Sequence, residues 1–157
     1  MDRKDIGSWL LGPRAALEQQ GISFGYPGQR LGIPEHGVGS VATFGRRIMA
    51  ITLDWLSALL IVRGFFQTAE YGSTEYSIAA LIVFASQVFL LTTTLGASFG
   101  QQVVGIGVRK VTGEKLGIMA TLIRAVLLTL VLPAVIWDRD GRGLHDKAVK
   151  SVVVKTR

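Results

Sequence analysis

FGRRIMAITLDWLSALLIVRGFF, residues 44–66, is an apolar run broken by three arginines and a single aspartate. About 20 predominantly apolar residues cross the roughly 30 Å hydrocarbon layer of a bilayer as a helix, so the run predicts a membrane span. Asp54 falls near its middle, where an ionisable side chain costs about 2.5–3.5 kcal/mol on insertion scales and requires a protein partner. Arg47 precedes it by seven residues. At 3.6 residues per turn the two lie within about 20° on the helix surface. One stripe of this helix is therefore charged and faces protein. Helical side chains lean toward the N-terminus, so Asp54 leans toward Arg47 while Arg47 leans away, and each is expected to pair mainly with a different helix. Arg124 is the expected partner of Asp54. Two uses of the stripe stay open: charge pairs that only fix how membrane segments pack, or a charged lining of a pathway.

Around this span, composition narrows the class. A chain of 157 residues fits one domain, and its apolar residues are gathered into long runs, as in membrane proteins. The absence of cysteine excludes disulfides, thiolate metal sites and cysteine nucleophiles. A net charge of +6, from 17 Lys and Arg against 11 Asp and Glu, is carried mainly outside the apolar runs. Beside a membrane this pattern points to topology and anionic-lipid contact rather than to nucleic acid. No secretory signal is expected in residues 1–45, and insertion would be directed by the first membrane helix.

Residues 1–45 read as an extended arm rich in Gly and Pro, ordered only where a partner holds it, with a weak helix signal from Pro13 to Gln20. Residues 46–137 form the membrane region and 138–157 a basic cytoplasmic tail. After the first helix, 67–75 is a short acidic loop, and 76–96 is a second run of spanning length. Within that second run, Gln87 and Thr94 share a face suited to hydrogen bonding a neighbouring helix. Gly96 and Gly100 fit a weak small-xxx-small pattern near its end. Residues 101–115 suggest a β-strand and a bend; Gly105 and Gly107 make no dinucleotide fingerprint. The third apolar stretch, 116–137, is interrupted by Arg124 and bent by Pro133. Three full crossings would put the basic tail outside, against the positive-inside rule, so a re-entrant or interfacial third segment is favoured. Residues 103–111 and 148–155 are expected to pair as strands, because lone strands at a membrane surface leave backbone groups unpaired. That pairing would bring Asp146 close to Arg47. The fold class is thus an all-α integral membrane protein of two spanning helices and a third membrane-embedded segment, with a small cytoplasmic β-pairing of loop and tail.

These residues resemble the RDD family of small integral membrane proteins, named for an arginine and two aspartates. RIMAITLD, from Arg47 to Asp54, is similar to the motif that opens the family's first helix. SFGQQVVGIGVRKVTGEK followed by Arg124 resembles its glycine-rich loop, and LHDKAVKSVVV, with Asp146 as the second aspartate, resembles its C-terminal signature. The chain departs from the family pattern in having Gln101 after Gly100, where a basic residue is commoner. The resemblance implies a buried charge network of Arg47, Asp54, Arg124 and Asp146, and a role connected with unknown ligands or, in one branch, cation/proton exchange.

For His145 and Asp146 a metal site is not expected, since His36 is the only other histidine and lies in the arm. Asp138 and Asp140, flanking Arg139, read as a solvated turn. No nucleophile with a base and an orienting acid is present, so neither an enzyme nor a cofactor is expected. Two functions are weighed. In the first, the protein is a structural or accessory subunit of a larger membrane complex, such as a respiratory one, docked through its arm. In the second, an oligomer transports a solute or exchanges a cation for a proton at Asp54, because two or three segments alone cannot enclose a path. Either way the expected setting is the cell (inner or plasma) membrane, crossed more than once, with the N-terminus cytoplasmic. The expected partners are the bilayer, anionic lipids and a larger complex or further copies of the chain.

Overall fold

A computed structural model describes residues 25–65, 71–130 and 142–157. Two long helices, α1 (Phe44–Phe65) and α2 (Thr74–Leu95), form an antiparallel hairpin. Each is long and apolar enough to cross a membrane, and only 22% of each apolar window is buried inside the chain. What is buried forms a narrow stripe: Arg47, Ala50, Asp54, Ala58 and Val62 on α1, and Tyr76, Ala80, Phe84, Val88 and Thr92 on α2. Both stripes recur at helical spacing, and the alanines among them let the backbones approach. Helix α2 starts two residues before the sequence predicts. The Ser73 side chain accepts from the Tyr76 amide and Glu75 occupies the first turn, where an acid suits the helix dipole.

Gly96 ends α2 in a left-handed conformation (φ 77°). A five-residue helix, α3 (Phe99–Val103), follows and turns back against α1. Strand β1 (Ile106–Lys110) comes next, then α4 (Ile118–Thr129), the short α5 (Leu144–Ala148) and β2 (Ser151–Lys155). The expected strand over 103–111 is therefore shorter than its β-branched run. Val103 is the last residue of a helix that Ser98 starts with a capping box, and Gly105 (φ 71°) breaks the chain between helix and strand. Likewise Ala148 belongs to α5, and the tail strand begins only after the turn at Lys150 (φ 52°).

Strands β1 and β2 pair antiparallel, Ile106 opposite Lys155 and Lys110 opposite Ser151, so loop and tail meet as the unpaired-backbone argument requires. The other edge of β2 is taken by the end of the arm. The amides of Gly39 and Ala42 donate to the carbonyls of Lys155 and Val153, and the Lys155 amide donates to Ser40. The arm is thus ordered at this point by the chain itself. Loop, tail and arm all lie at the end of the hairpin where α1 begins and α2 finishes, over a core of Ala42, Ala50, Ile106, Val108, Leu116 and Val153. Helix α4 packs beside α2 through Ala125 and Leu128. The acidic loop tip, the expected bend at Pro133, the turn around Arg139 and the short helix in 13–20 lie outside the described residues.

Candidate functional site

The sheet end of the hairpin encloses a charged cluster that draws on every element around it. Asp146, in the first turn of α5, is fully buried. Its Oδ1 accepts from Arg124 Nε at 2.8 Å and from the Ser151 hydroxyl at 3.0 Å. On its other oxygen, Oδ2, converge His145 Nε2 at 3.4 Å and Arg47 Nη1 at 3.6 Å. Burial alone would push the Asp146 carboxyl up, but the charges of Arg124, His145 and Arg47 outweigh it and hold the group well below the usual carboxylate range. Arg47, in the first turn of α1, is held from two further sides. Its Nε donates to the Ala42 carbonyl (3.1 Å) and its Nη2 to the Val153 carbonyl (3.3 Å). This arginine therefore ties the arm, β2 and α5 to the mouth of α1.

Asp54 is also buried, but with different partners. The expected salt bridge to Arg124 is not formed; Arg124 is committed to Asp146, and among the described residues no arginine pairs with Asp54 directly. Instead Asp54 Oδ1 accepts from the Gly100 amide at 2.7 Å and Oδ2 accepts from the Ser98 hydroxyl. The carboxylate thus sits against the first turn of α3, where free amides and the helix dipole favour a negative charge. The physical reason for the correction is reach. Helix α3 brings neutral donors within hydrogen-bond distance, and donors to an ionised acceptor are strong even without a formal charge.

Gly100 makes this contact feasible, since a Cβ there would overlap the Ala50 carbonyl of α1. Further along, Gln87 of α2 donates through Nε2 to the Asp54 carbonyl and accepts from the Ser57 hydroxyl at 3.0 Å. Gln87 thus bonds across helices, whereas Thr94 turns its hydroxyl back to Leu90 of its own helix.

Arg47, Arg124, Asp146 and Asp54 line one cavity of about 20 Å³, with Ser98, Gln101 and His145 completing its polar wall. The structure brings the first three together as an ion cluster and sets Asp54 across the cavity from them. Ser98, Gly100 and Ser151 are the contributors that sequence reasoning passed over. The Ser98-x-x-Gln101 capping box was the available signal for the first two, while nothing in the sequence marks Ser151. Among the described residues no group of three His, Asp or Glu side chains gathers as a metal site.

An aspartate sunk in an apolar span, and an arginine–aspartate cluster that closes one end of a helical hairpin, define a small helical membrane protein. The chain belongs to the RDD family, whose profile matches residues 41–150. No curated protein and no solved structure matches the chain significantly.

Proposed function

We propose that the chain is a non-catalytic structural or accessory subunit of a larger membrane assembly. The observation that supports this is that Arg47, Arg124 and Asp146 pair with one another, and Asp54 with Ser98 and Gly100, around a space of about 20 Å³, about the size that holds a water. A group meant to carry a solute has to meet it, and here most of the donors and acceptors are taken up inside the chain. Most of the surface of α1 and α2, by contrast, faces outward and is available to lipid or to neighbouring helices.

In this reading the sheet end lies at the cytoplasmic face of the cell membrane, with the N-terminus on that side. Arg109, Lys110, Lys115, Lys150 and Lys155 cluster at that end beside anionic headgroups. Purification in mild detergent is the test: a partner membrane protein held in fixed stoichiometry supports the reading, and a protein that runs alone or only with itself speaks against it. The second reading, an oligomeric transporter or cation/proton exchanger, draws on the fact that Asp54 and Asp146 face one cavity. In reconstituted vesicles it requires cation-dependent proton flux that disappears in Asp54→Asn.

A further inference from the structure

The cavity between the two aspartates has a feature that the ion pairs leave over. Asp146 Oδ2 is fully buried, yet among the described residues it accepts no hydrogen bond. Arg47 Nη1 and His145 Nε2 approach it at 3.6 and 3.4 Å, which gives charge attraction without a hydrogen bond. A buried carboxylate oxygen left in this state is costly, and buried polar atoms are satisfied by protein or by ordered water. On the far wall, each oxygen of Asp54 accepts one bond, from Gly100 or Ser98, and an ionised carboxylate oxygen has room for a second.

We propose that the cavity is a binding site for one ordered water, which donates to Asp146 Oδ2 and to Asp54 and so joins two aspartates that have no contact of their own. Three properties of the site select this occupant. Its volume of about 20 Å³ exceeds the roughly 10–15 Å³ that one water needs. Its polar wall of Arg47, Asp54, Ser98, Gln101, Arg124, His145 and Asp146 supplies the two to four partners such a water requires. And its carboxylates are already answered: two guanidinium groups and His145 face Asp54 and Asp146, so a metal cation would add further positive charge inside a buried site. Water adds none.

The bridge gives the cluster a consequence for the fold. Asp54 is anchored to α3 and Asp146 to α4 and β2, so a shared water couples the packing of the hairpin to that of the sheet. The wild-type protein in lipid nanodiscs, at a resolution that shows buried waters elsewhere in the molecule, gives the direct test. One density peak within hydrogen-bond distance of both Asp146 Oδ2 and an Asp54 oxygen is expected. Melting curves in sodium chloride and in choline chloride of equal ionic strength should superimpose. A cavity without density in such maps overturns the proposal, and so does a rise in melting temperature specific to sodium, which would make the occupant a cation. Neither outcome depends on whether the protein has a partner subunit.

Discussion

The Gly100 amide donates to Asp54 Oδ1 over 2.7 Å, and this bond closes only because the glycine lies directly on the α1 backbone at Ala50. A carboxylate buried within the chain is here stabilised by a backbone that a side chain would hold away. Gly100→Ala should therefore both clash with the Ala50 carbonyl and lengthen the bond to Asp54. The loss expected is at least about 1–3 kcal/mol, the usual cost of overpacking, because the neighbour that must yield is itself helical backbone. Gly64→Ala is the matched control. It too is a helical glycine, but in α1 and at a place where a Cβ meets nothing, and it should be neutral or stabilising by up to about 1 kcal/mol through helix propensity. Melting of the two variants in one detergent compares them; equal behaviour would remove the close approach from the account.

The two aspartates should differ in what they lose on neutralisation. Asp146→Asn leaves Arg124 and Arg47 buried without their counter-charge, a situation that costs about 3–5 kcal/mol. Asp54→Asn removes a charge held by a hydroxyl and an amide, and hydrogen bonds to charged groups are worth about 1.5–3 kcal/mol. A double-mutant cycle makes the distinction sharper. Arg124 should show strong coupling to Asp146 and much weaker coupling to Asp54, and the reverse ranking would restore the salt bridge that the sequence suggested.

That mistaken pairing shows where sequence reasoning stops. Arg47 and Asp54 were legible because seven residues in an apolar run place two charges on one stripe, and both are buried. The meeting of loop and tail was legible from backbone satisfaction alone, since two β-branched runs at a membrane surface need each other. The partner of Asp54 was not, because it depends on α3, a helix too short to show periodicity and recognisable only by its Ser98-Gln101 capping box. A search for opposite charges chose Arg124, while the fold used an amide and a hydroxyl, groups that every sequence contains in abundance. The hold of β2 on Gly39 and Ala42 was hidden for a similar reason: backbone bonds to an arm edge leave no mark in glycine-rich sequence.

Acid should loosen the cluster in a defined window. The Asp146 carboxyl titrates below its ordinary value in the folded protein, so its contribution to stability is fully present above the unfolded value of about 3.9 and is lost as pH falls toward the folded one. The melting temperature should therefore hold from neutral pH down to about 5 and drop below about 4. In Asp146→Asn the drop should be shallower, because that group no longer titrates. An equally steep acid limb in both proteins would assign the acid sensitivity to other carboxylates.

The arm supplies the last prediction, because its final residues serve two masters. Ala42 donates its amide to Val153 of β2 and accepts Arg47 Nε with its carbonyl, while Val153 gives that same carbonyl to Arg47 Nη2. Gly39, Ser40 and Ala42 thus cover the outer edge of β2 and also help hold the guanidinium that faces Asp146. Among the described residues no backbone hydrogen bond ties 26–36 to the sheet: the 3-10 turn Gln29–Leu31 bonds within its own neighbourhood, to Tyr26 and Gly28. A protein that starts at residue 37 should then melt close to one that starts at residue 25. Deleting 1–42 exposes the edge of β2 and takes an acceptor from a buried arginine, and an unsatisfied charged donor costs more than the roughly 1–3 kcal/mol of a neutral one. The melting temperature should fall steeply between these two end points, and amide exchange at Lys155, which donates to Ser40, should accelerate only in the shorter protein. A gradual decline spread evenly over deletions from 25 onward would show instead that the whole arm, and not its last four residues, secures the sheet.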